Sequence, residues 1–220
     1  ILPLIVLLNL DELNKYKFIF SGLSKYHYVV LEYIGINRQQ IIDVNKYQLI
    51  KINKQLIHPL CSIPVGFVSF DIISQFKLFL ESKTIRSKHK KRIFISRSKS
   101  STRKISNENE VMVELACLGF ESYILEDMNE LDKINLFVNA EIVIGTFGGG
   151  ISNILFSKDI NVIEIFPEKY AGHNYFQLAN YLKFKYSYIV GKNVVDNQDD
   201  KNTNISININ ELINILKVYI

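Results

Sequence analysis

A buried strand, three consecutive glycines and the start of a helix follow one another in the segment 142–156, IVIGTFGGGISNILF. Glycine allows the backbone to approach a ligand closely, and the free N–H groups of a first helical turn favour an anion. Hydroxyl and amide side chains such as Ser152 and Asn153 can add hydrogen bonds to the same group. The pattern predicts a phosphate-binding loop that comprises Thr146, Gly148, Gly149, Gly150, Ile151, Ser152 and Asn153.

Two familiar phosphate loops fit this segment poorly. A G-x-x-x-x-G-K-[ST] loop needs a lysine where the chain has Ile151, so the charge that engages the terminal phosphates is absent. A G-x-G-x-x-G dinucleotide fingerprint has its last glycine where the chain has Asn153, and it follows the first strand of its unit rather than the third. Two alternatives stay open: a divergent dinucleotide loop, and a tight turn whose small residues serve packing alone.

Two arginines, Arg97 and Arg103, follow the first strand of the same half of the chain. Ligands of open α/β sheets lie beyond the carboxyl ends of the strands, where Arg97 and the glycine loop both emerge. A planar guanidinium group bonds two diphosphate oxygens at once, so these arginines suit a diphosphate. The alternative is that they are solvated loop charges. Asn107 either joins this site or caps the following helix, with Glu110 completing a capping box.

A carboxylate interrupts the otherwise apolar segment 162–167, VIEIFP, at Glu164. Burial of a carboxylate is costly unless the group is paired or hydrogen-bonded. The two hydroxyl groups of a ribose could satisfy it. An internal partner, such as a nearby arginine, is the alternative.

Strand and helix patterns alternate along the whole chain, most regularly from Arg92 onward. Short β-branched runs between amphipathic helices predict βαβ crossovers and a doubly wound parallel sheet. The polar basic stretch KTIRSKHKK at 83–91 indicates a connection between two packed units. We therefore predict an N-terminal domain over 1–85, a C-terminal domain over 86–192, and a polar loop with a final helix over 193–220.

The individual elements follow from hydrophobic periodicity. In the first half we predict strands at 17–20, 41–44 and 49–57 and helices at 1–10, 25–33 and 71–81. In the second half we predict strands at 92–96, 121–125, 141–145, 161–166 and 186–190, and helices at 107–118, 131–139, 149–156, 174–182 and 211–219. Residues 192–204, which are rich in Asn and Asp, predict a mobile loop.

Composition limits the class of protein. The 220 residues are 48% hydrophobic and carry a net charge of +4, which excludes disordered and fibrous proteins and permits an anionic ligand. The basic run 83–104 lacks the interleaved aromatic residues that stacking on nucleic acid requires, so we expect no nucleic-acid partner. Cys61 and Cys117 lie beside apolar residues without metal-ligand spacing, which predicts buried thiols in a reducing compartment and no metal site.

The apolar opening 1–10 is about half the roughly 20 residues that a spanning helix needs, and no basic region precedes it. We therefore expect a cytoplasmic chain that begins inside a longer protein.

The order of these motifs resembles glycosyltransferase family 61. The chain carries R-x-F-I-S-R, then R-x-x-x-N-E, then the strand GFESYILE, the loop AEIVIGTFGGGISNILF and the strand VIEIFP. Upstream, ILPLIVLL is similar to the helix that follows the family's aromatic and histidine-bearing motif, and LEYIGI is similar to its L-x-x-L-G-I segment. The match extends across most of the chain, and the motifs of the C-terminal half are the specific ones.

This resemblance implies a GT-B architecture, in which two Rossmann-like domains with parallel sheets face a cleft; the N-terminal domain would here be incomplete. It implies an inverting, metal-independent transferase of polysaccharide biosynthesis that uses a nucleotide-sugar donor and no cofactor. The acceptor would be a glycan or a lipid-linked saccharide, the latter with peripheral membrane contact. The residues placed at the donor site are Arg97, Arg103, Asn107, Glu108, the loop from Gly148 to Asn153, Glu164 at the ribose, and His173.

One departure from the family pattern bears on activity. The family commonly carries His, in a pattern like H-G-A-G-L, where this chain has Phe147. A catalytically inactive nucleotide-sugar-binding or scaffold protein is therefore the alternative function, and a nicotinamide-dependent enzyme is a third. Inversion needs a general base for the acceptor hydroxyl. The sequence does not identify that base, although His27 and His58 lie in the N-terminal half.

Overall fold

The computed structural model describes residues 14–47, 49–51, 74, 77–78, 87, 89–194 and 201–220. Within them the protein has a mixed α/β fold whose strands are mainly parallel, which confirms the predicted class. The chain divides into two compact units, Ile1–Lys83 and Thr84–Ile220.

Over residues 14–47, the first unit contains a parallel pair of short strands and, between them in sequence, an α-helix. Its elements are β1 (Phe18–Phe20), α1 (Lys25–Tyr33), a 3₁₀ helix (Arg38–Gln40), β2 (Ile41–Asp43) and a second 3₁₀ helix (Val44–Lys46). Strand β1 pairs with β2, and α1 buries Val30 and Leu31. The predicted helix at 1–10, most of the strand at 49–57, His58 and Cys61 lie outside the described residues; of 71–81, Ser74, Lys77 and Leu78 are described and are helical.

The second unit alternates strands and helices as its periodicity predicts. Its elements are β3 (Lys91–Ile95), α2 (Glu108–Cys117), β4 (Phe120–Tyr123), a 3₁₀ turn (Leu125–Asp127), α3 (Glu130–Val138), β5 (Ala140–Thr146), a 3₁₀ helix (Gly149–Phe156), β6 (Asn161–Pro167), α4 (Asn174–Tyr181), β7 (Lys185–Asn193), β8 (Ile205–Ser206) and α5 (Ile209–Leu216).

These strands form one sheet in the order β4-β3-β5-β6-β7-β8, in which β8 alone is antiparallel to its neighbour. The chain runs from β3 outward to β4 and then returns to β5 on the other side of β3. The direction of winding therefore reverses between β3 and β5. In open α/β sheets a crevice forms at this switch point, beyond the carboxyl ends of the two strands.

Alternate residues of each strand point to opposite faces of the sheet. On one face Phe94, Ile144 and Ile163 belong to a core that includes residues of α2 and α5 such as Leu115 and Leu212. Glu164, the next residue after Ile163, therefore points to the other face. The apolar residues pack the sheet against its helices. The residues beyond the carboxyl ends of the strands do not belong to this core and are available for a functional site.

The predicted helix at 149–156 is confirmed in its bounds and is a 3₁₀ helix, because the glycine-rich turn closes with i to i+3 bonds such as Ile151 N–H to the Gly148 carbonyl, 3.1 Å. Two other local predictions are wrong. The predicted mobile loop 192–204 is wrong at its two ends, since β7 continues to Asn193 and Thr203 is buried; residues 195–200 lie outside the described residues. Cys117 is an exposed free thiol rather than a buried one, because it ends α2 on the solvent side.

Within the described ranges, no helix has both the length and the apolar character needed to cross a membrane.

Candidate functional site

Two guanidinium groups converge on Gly148 at the switch point between β3 and β5. A Cβ atom added to Gly148 would lie 3.0 Å from Arg103 Nη1 and 3.6 Å from Arg97 Nη1. Gly148 also has a φ of +144°, which residues with a side chain rarely adopt. The glycine therefore serves two needs at once: it permits the turn, and it leaves room for both arginines.

Arg103 is held in place by the residue before that glycine. Its Nη1 donates to the Phe147 carbonyl oxygen at 3.2 Å, and its guanidinium carbon lies 4.9 Å from the centroid of the Phe147 ring. Its Nε is buried and has no hydrogen-bond partner within the described part of the chain. Arg103 thus has a fixed position and unused hydrogen-bonding capacity.

Arg97 is anchored to the loop that it begins. Its Nε donates to the Thr102 carbonyl oxygen at 3.2 Å and its Nη2 to Ser100 Oγ at 2.5 Å. Burial and the positive charge of Arg103 lower the pKa of Arg97, and Glu126 acts weakly in the other direction. Neither arginine forms an ion pair with a carboxylate among the described residues. Two close cations with no carboxylate in ion-pair contact within the described ranges favour an anion between them.

The glycine loop lies beneath these arginines. Ser152 Oγ donates to the Gly149 carbonyl oxygen at 2.6 Å, and Asn153 Nδ2 donates to the Gly150 carbonyl oxygen at 2.9 Å. Both predicted phosphate ligands therefore bond to their own turn, Ser152 from an exposed position and Asn153 from a buried one. The N–H groups of Gly149 and Gly150 precede the first hydrogen bond of the 3₁₀ helix, so they carry the anion-binding capacity of the loop.

Glu164 lies in β6 beside Gly145 of β5, and only 1% of its surface is exposed. Its carboxyl group accepts a hydrogen bond from Tyr186 Oη at 2.7 Å. Burial raises the pKa of Glu164 to about 7, although the Tyr186 hydrogen bond opposes this rise. The structure therefore shows the alternative of an internal partner, and that partner is a tyrosine rather than an arginine.

A second tyrosine relates Glu164 to the arginines. Burial raises the pKa of Tyr175 in α4, the charge of Glu164 raises it further, and the charge of Arg103 lowers it. Tyr175 therefore lies within electrostatic reach of both groups. The buried carboxyl group and the guanidinium pair belong to one region of the C-terminal unit.

The other residues proposed for the site differ in their surroundings. The side-chain amide of Asn107 pairs with the backbone of Ile207, donating to its oxygen at 2.9 Å and accepting from its N–H at 3.0 Å. It makes no side-chain cap, so the predicted capping box is wrong. Glu108 accepts a hydrogen bond from Ser96 at the end of β3. Thr146 is buried, and its hydroxyl has no partner among the described residues.

Two histidines considered in the sequence lie at helix ends. His173 is exposed and immediately precedes α4, where its carbonyl oxygen accepts from the Gln177 N–H at 2.9 Å. His27 Nδ1 accepts from the Ser24 N–H at 3.0 Å and completes the capping box of α1. In the described ranges, no three His, Cys, Asp or Glu side chains are grouped to hold a metal ion.

Sequence reasoning missed an aromatic cluster that surrounds Phe147. Phe147 stacks on Phe166 with 5.9 Å between ring centroids, and it lies 4.8 Å from the ring of Tyr170. Tyr188, which is 61% exposed, packs edge-on against Phe166. The available signal was the pair Tyr186 and Tyr188 in the strand after Glu164. Residues two apart in a strand lie on the same face of the sheet, so this pair indicates aromatic side chains on one face.

The comparison with family models identifies the family of the chain. The family model described as Glycosyltransferase 61 matches residues 12–163. The match includes both arginines and the glycine loop and ends one residue before Glu164. No curated protein matches the chain.

Proposed function

Because this chain belongs to the glycosyltransferase 61 family, we propose that it transfers a sugar from a nucleoside-diphosphate sugar to a glycan or glycoconjugate. The observation that carries the donor assignment is the convergence of Arg97 and Arg103 on Gly148 without a carboxylate partner in the described chain. A diphosphate supplies the missing negative charge, and its oxygens match the planar guanidinium forks.

The proposed reaction is an inverting displacement. An acceptor hydroxyl oxygen forms a bond to the anomeric carbon while the bond from that carbon to the diphosphate breaks. The leaving diphosphate keeps the electron pair, and a general base that remains to be identified takes the hydroxyl proton. Arg97, Arg103 and the N–H groups of the glycine loop would stabilise the charge that develops on the diphosphate. In this proposal the arginines neutralise the diphosphate without a divalent metal or a cofactor.

The remainder of the donor would extend over β6 in this proposal. Ribose hydroxyl groups would meet Glu164, which requires them to replace or join the hydrogen bond from Tyr186. His173 would contact the donor from the start of α4. A GT-B arrangement would bring the acceptor from the first unit, and a lipid-linked acceptor would place the cytoplasmic protein at a membrane surface.

The second candidate function is a nucleotide-sugar-binding or scaffold protein without activity. Phe147 favours it, because the ring under Arg103 has no group that could donate a hydrogen bond or transfer a proton. The variant Phe147→His distinguishes the two. If the unmodified chain binds a nucleotide sugar without turnover and the variant gains transferase activity, the chain is an inactive member of its family.

Thermal unfolding with uridine, guanosine and cytidine diphosphates, and with a reduced nicotinamide dinucleotide as control, tests the donor site. A ligand that binds only the folded state adds about 2.7 kcal/mol at 100 times its dissociation constant. We expect one diphosphate to raise the unfolding temperature selectively, and Arg97→Ala and Arg103→Ala to abolish the shift. Lys217→Ala, which removes a positive charge from the end of α5, is the control and should keep it. No shift with any diphosphate would contradict the proposal.

A further inference from the structure

A C-terminal strap, residues 201–207, lies against the loop that carries Arg103. The Ile205 N–H donates to the Lys104 carbonyl oxygen at 2.9 Å, and the Ser106 N–H donates to the Ile205 carbonyl oxygen at 2.8 Å. Ile105 and Ile205 form a parallel bridge. The strap thus extends the β-structure across the entrance to α2, about 100 residues away along the chain.

The strap also accepts hydrogen bonds from the backbone at Arg103 and at the residue that follows it. The Lys104 N–H donates to Asn204 Oδ1 at 2.9 Å, and the Arg103 N–H points to the Asn202 carbonyl oxygen at 3.4 Å. Arg103 itself has a φ of +60°, a left-handed conformation that is uncommon for a residue with a side chain. Such a conformation persists only where the surrounding structure holds it, and the strap bonds on both sides of that residue.

The strap is itself firmly anchored. Ile205 and Ile207 are buried in the core between the sheet and the helices α2 and α5. The Asn107 amide pairs with both backbone groups of Ile207. A loop fixed to this core can hold Arg103 over Gly148 before any ligand arrives, which lowers the ordering cost of binding.

We propose that the strap is a working part of the donor site and that Asn204 is a positioning residue, which acts on the diphosphate through Arg103. This inference rests on the proposed function. It adds to the site a segment that lies beyond residues 12–163, the range matched by the family model. It also gives Asn107 a positioning role through Ile207 in place of direct contact with the donor.

A double-mutant cycle tests the inference, with inorganic pyrophosphate as a probe that is independent of the nucleobase. Asn204→Ala removes the side-chain oxygen that accepts a hydrogen bond from the Lys104 N–H. We expect the dissociation constant of this variant for pyrophosphate to be about five-fold higher than that of the parent chain. In an Arg103→Ala background the same substitution should change the dissociation constant little, because its effect passes through Arg103. Asn210→Ala, an exposed asparagine without a side-chain hydrogen bond in the described chain, is the matched control and should bind like the parent.

A second measurement reports on the strap directly. Hydrogen exchange of the Lys104 amide should be faster in Asn204→Ala than in the parent chain, because the bond to Oδ1 is lost, and should be unchanged in Asn210→Ala. The outcomes separate the two proposals. Failure of the parent chain to bind pyrophosphate overturns the donor site itself. Two other outcomes overturn only the role of the strap. In the first, Arg103→Ala weakens pyrophosphate binding but Asn204→Ala does not. In the second, Asn204→Ala weakens binding equally in the parent chain and in the Arg103→Ala background.

Discussion

Two neighbouring regions of the C-terminal unit carry charged groups that form no ion pair with any described residue, and the two groups differ in burial and in chemistry. At the ends of β3 and β5, Arg97 and Arg103 are only partly buried and have no carboxylate partner in the described chain. In β6, Glu164 is almost completely buried and is bonded to a tyrosine rather than to a cation. A guanidinium group keeps its charge at any ordinary pH, whereas a buried carboxylate can take up a proton.

This difference indicates what each region can bind. The two arginines repel each other, so this region favours a negatively charged ligand. Glu164, with a pKa of about 7, can be neutral or charged near physiological pH, so it suits a ligand with hydroxyl groups. Phe147 joins the regions, since its ring contacts Arg103 on one side and Phe166 of β6 on the other.

The largest effect should come from removing the arginine pair. A hydrogen bond to a charged group contributes about 1.5 to 3 kcal/mol, so Arg97→Ala with Arg103→Ala should weaken pyrophosphate binding by roughly 100-fold or more. Loss of the mutual repulsion should offset the loss of the hydrogen bonds to Thr102, Ser100 and Phe147, so we expect the unfolding temperature to change little. Calorimetric titration and thermal unfolding measure the two quantities. If the double variant binds pyrophosphate as tightly as the parent chain, the arginine pair is not the anion-binding region and the proposed difference from the Glu164 region is wrong.

Removal of the joining ring should affect both regions. Phe147 is 6% exposed, and truncation of a buried phenylalanine to alanine costs about 3 to 5 kcal/mol. We therefore expect Phe147→Ala to lower the free energy of unfolding by about 3 kcal/mol and to weaken pyrophosphate binding, because Arg103 loses its support. Urea denaturation measures the first effect. Phe147→Leu, which keeps most of the volume without the ring face, should retain stability yet still lose affinity.

The carboxyl side of the comparison predicts a pH dependence. The pKa of Glu164 is about 7 in the folded state against 4.5 as the ordinary value, so the folded state holds a proton that the unfolded state releases. The free energy of unfolding should therefore fall as the pH rises from about 4.5 to about 7 and then level off. The full shift corresponds to about 3 kcal/mol.

Glu164→Gln isolates this contribution, because glutamine can accept the Tyr186 hydrogen bond but does not titrate. The difference in unfolding free energy between parent and variant should move in favour of the variant across that pH range. Tyr186→Phe should shift the range upward, since the hydroxyl group lowers the pKa of Glu164. Parallel pH profiles for parent and Glu164→Gln would show that Glu164 is ionised throughout.

How much of this could be read from the sequence depends on whether contacts are local. The helix Lys25–Tyr33 is confirmed residue for residue, and the strands of the second unit lie close to their expected bounds, because hydrophobic period and turn residues are local signals. The sequence also predicts that the glycine loop and the arginines lie together, because parallel strands bring their carboxyl ends to one edge of the sheet. The structure places both arginines beside Gly148, while phosphate binding by the loop stays a prediction.

The other features depend on pairing between distant residues. Strand β8 has two residues and exists only through its pairing with Asn193 and Lys192, so no periodicity announces it. Asn107 carries the local signature of a cap, yet its amide bonds to Ile207. In both cases a contact between residues distant in sequence overrides the local conformational preference.

The smallest effect should come from the glycine beneath the arginines, and two adjacent residues form a matched pair. At Gly148 an added methyl group meets Arg103 Nη1 at 3.0 Å on a backbone with a φ of +144°, whereas at Gly149 it meets nothing within 4 Å. A non-glycine residue in such a conformation costs about 1 to 3 kcal/mol, so Gly148→Ala should lower stability by about that amount and displace the guanidinium group. Gly149→Ala should leave the free energy of unfolding almost unchanged. Equal losses in stability and in pyrophosphate affinity for the two variants would show that the positions of the guanidinium groups do not depend on their close approach to Gly148. The arginine region would then not be a preformed cationic site, and it would no longer differ in this respect from the region of Glu164.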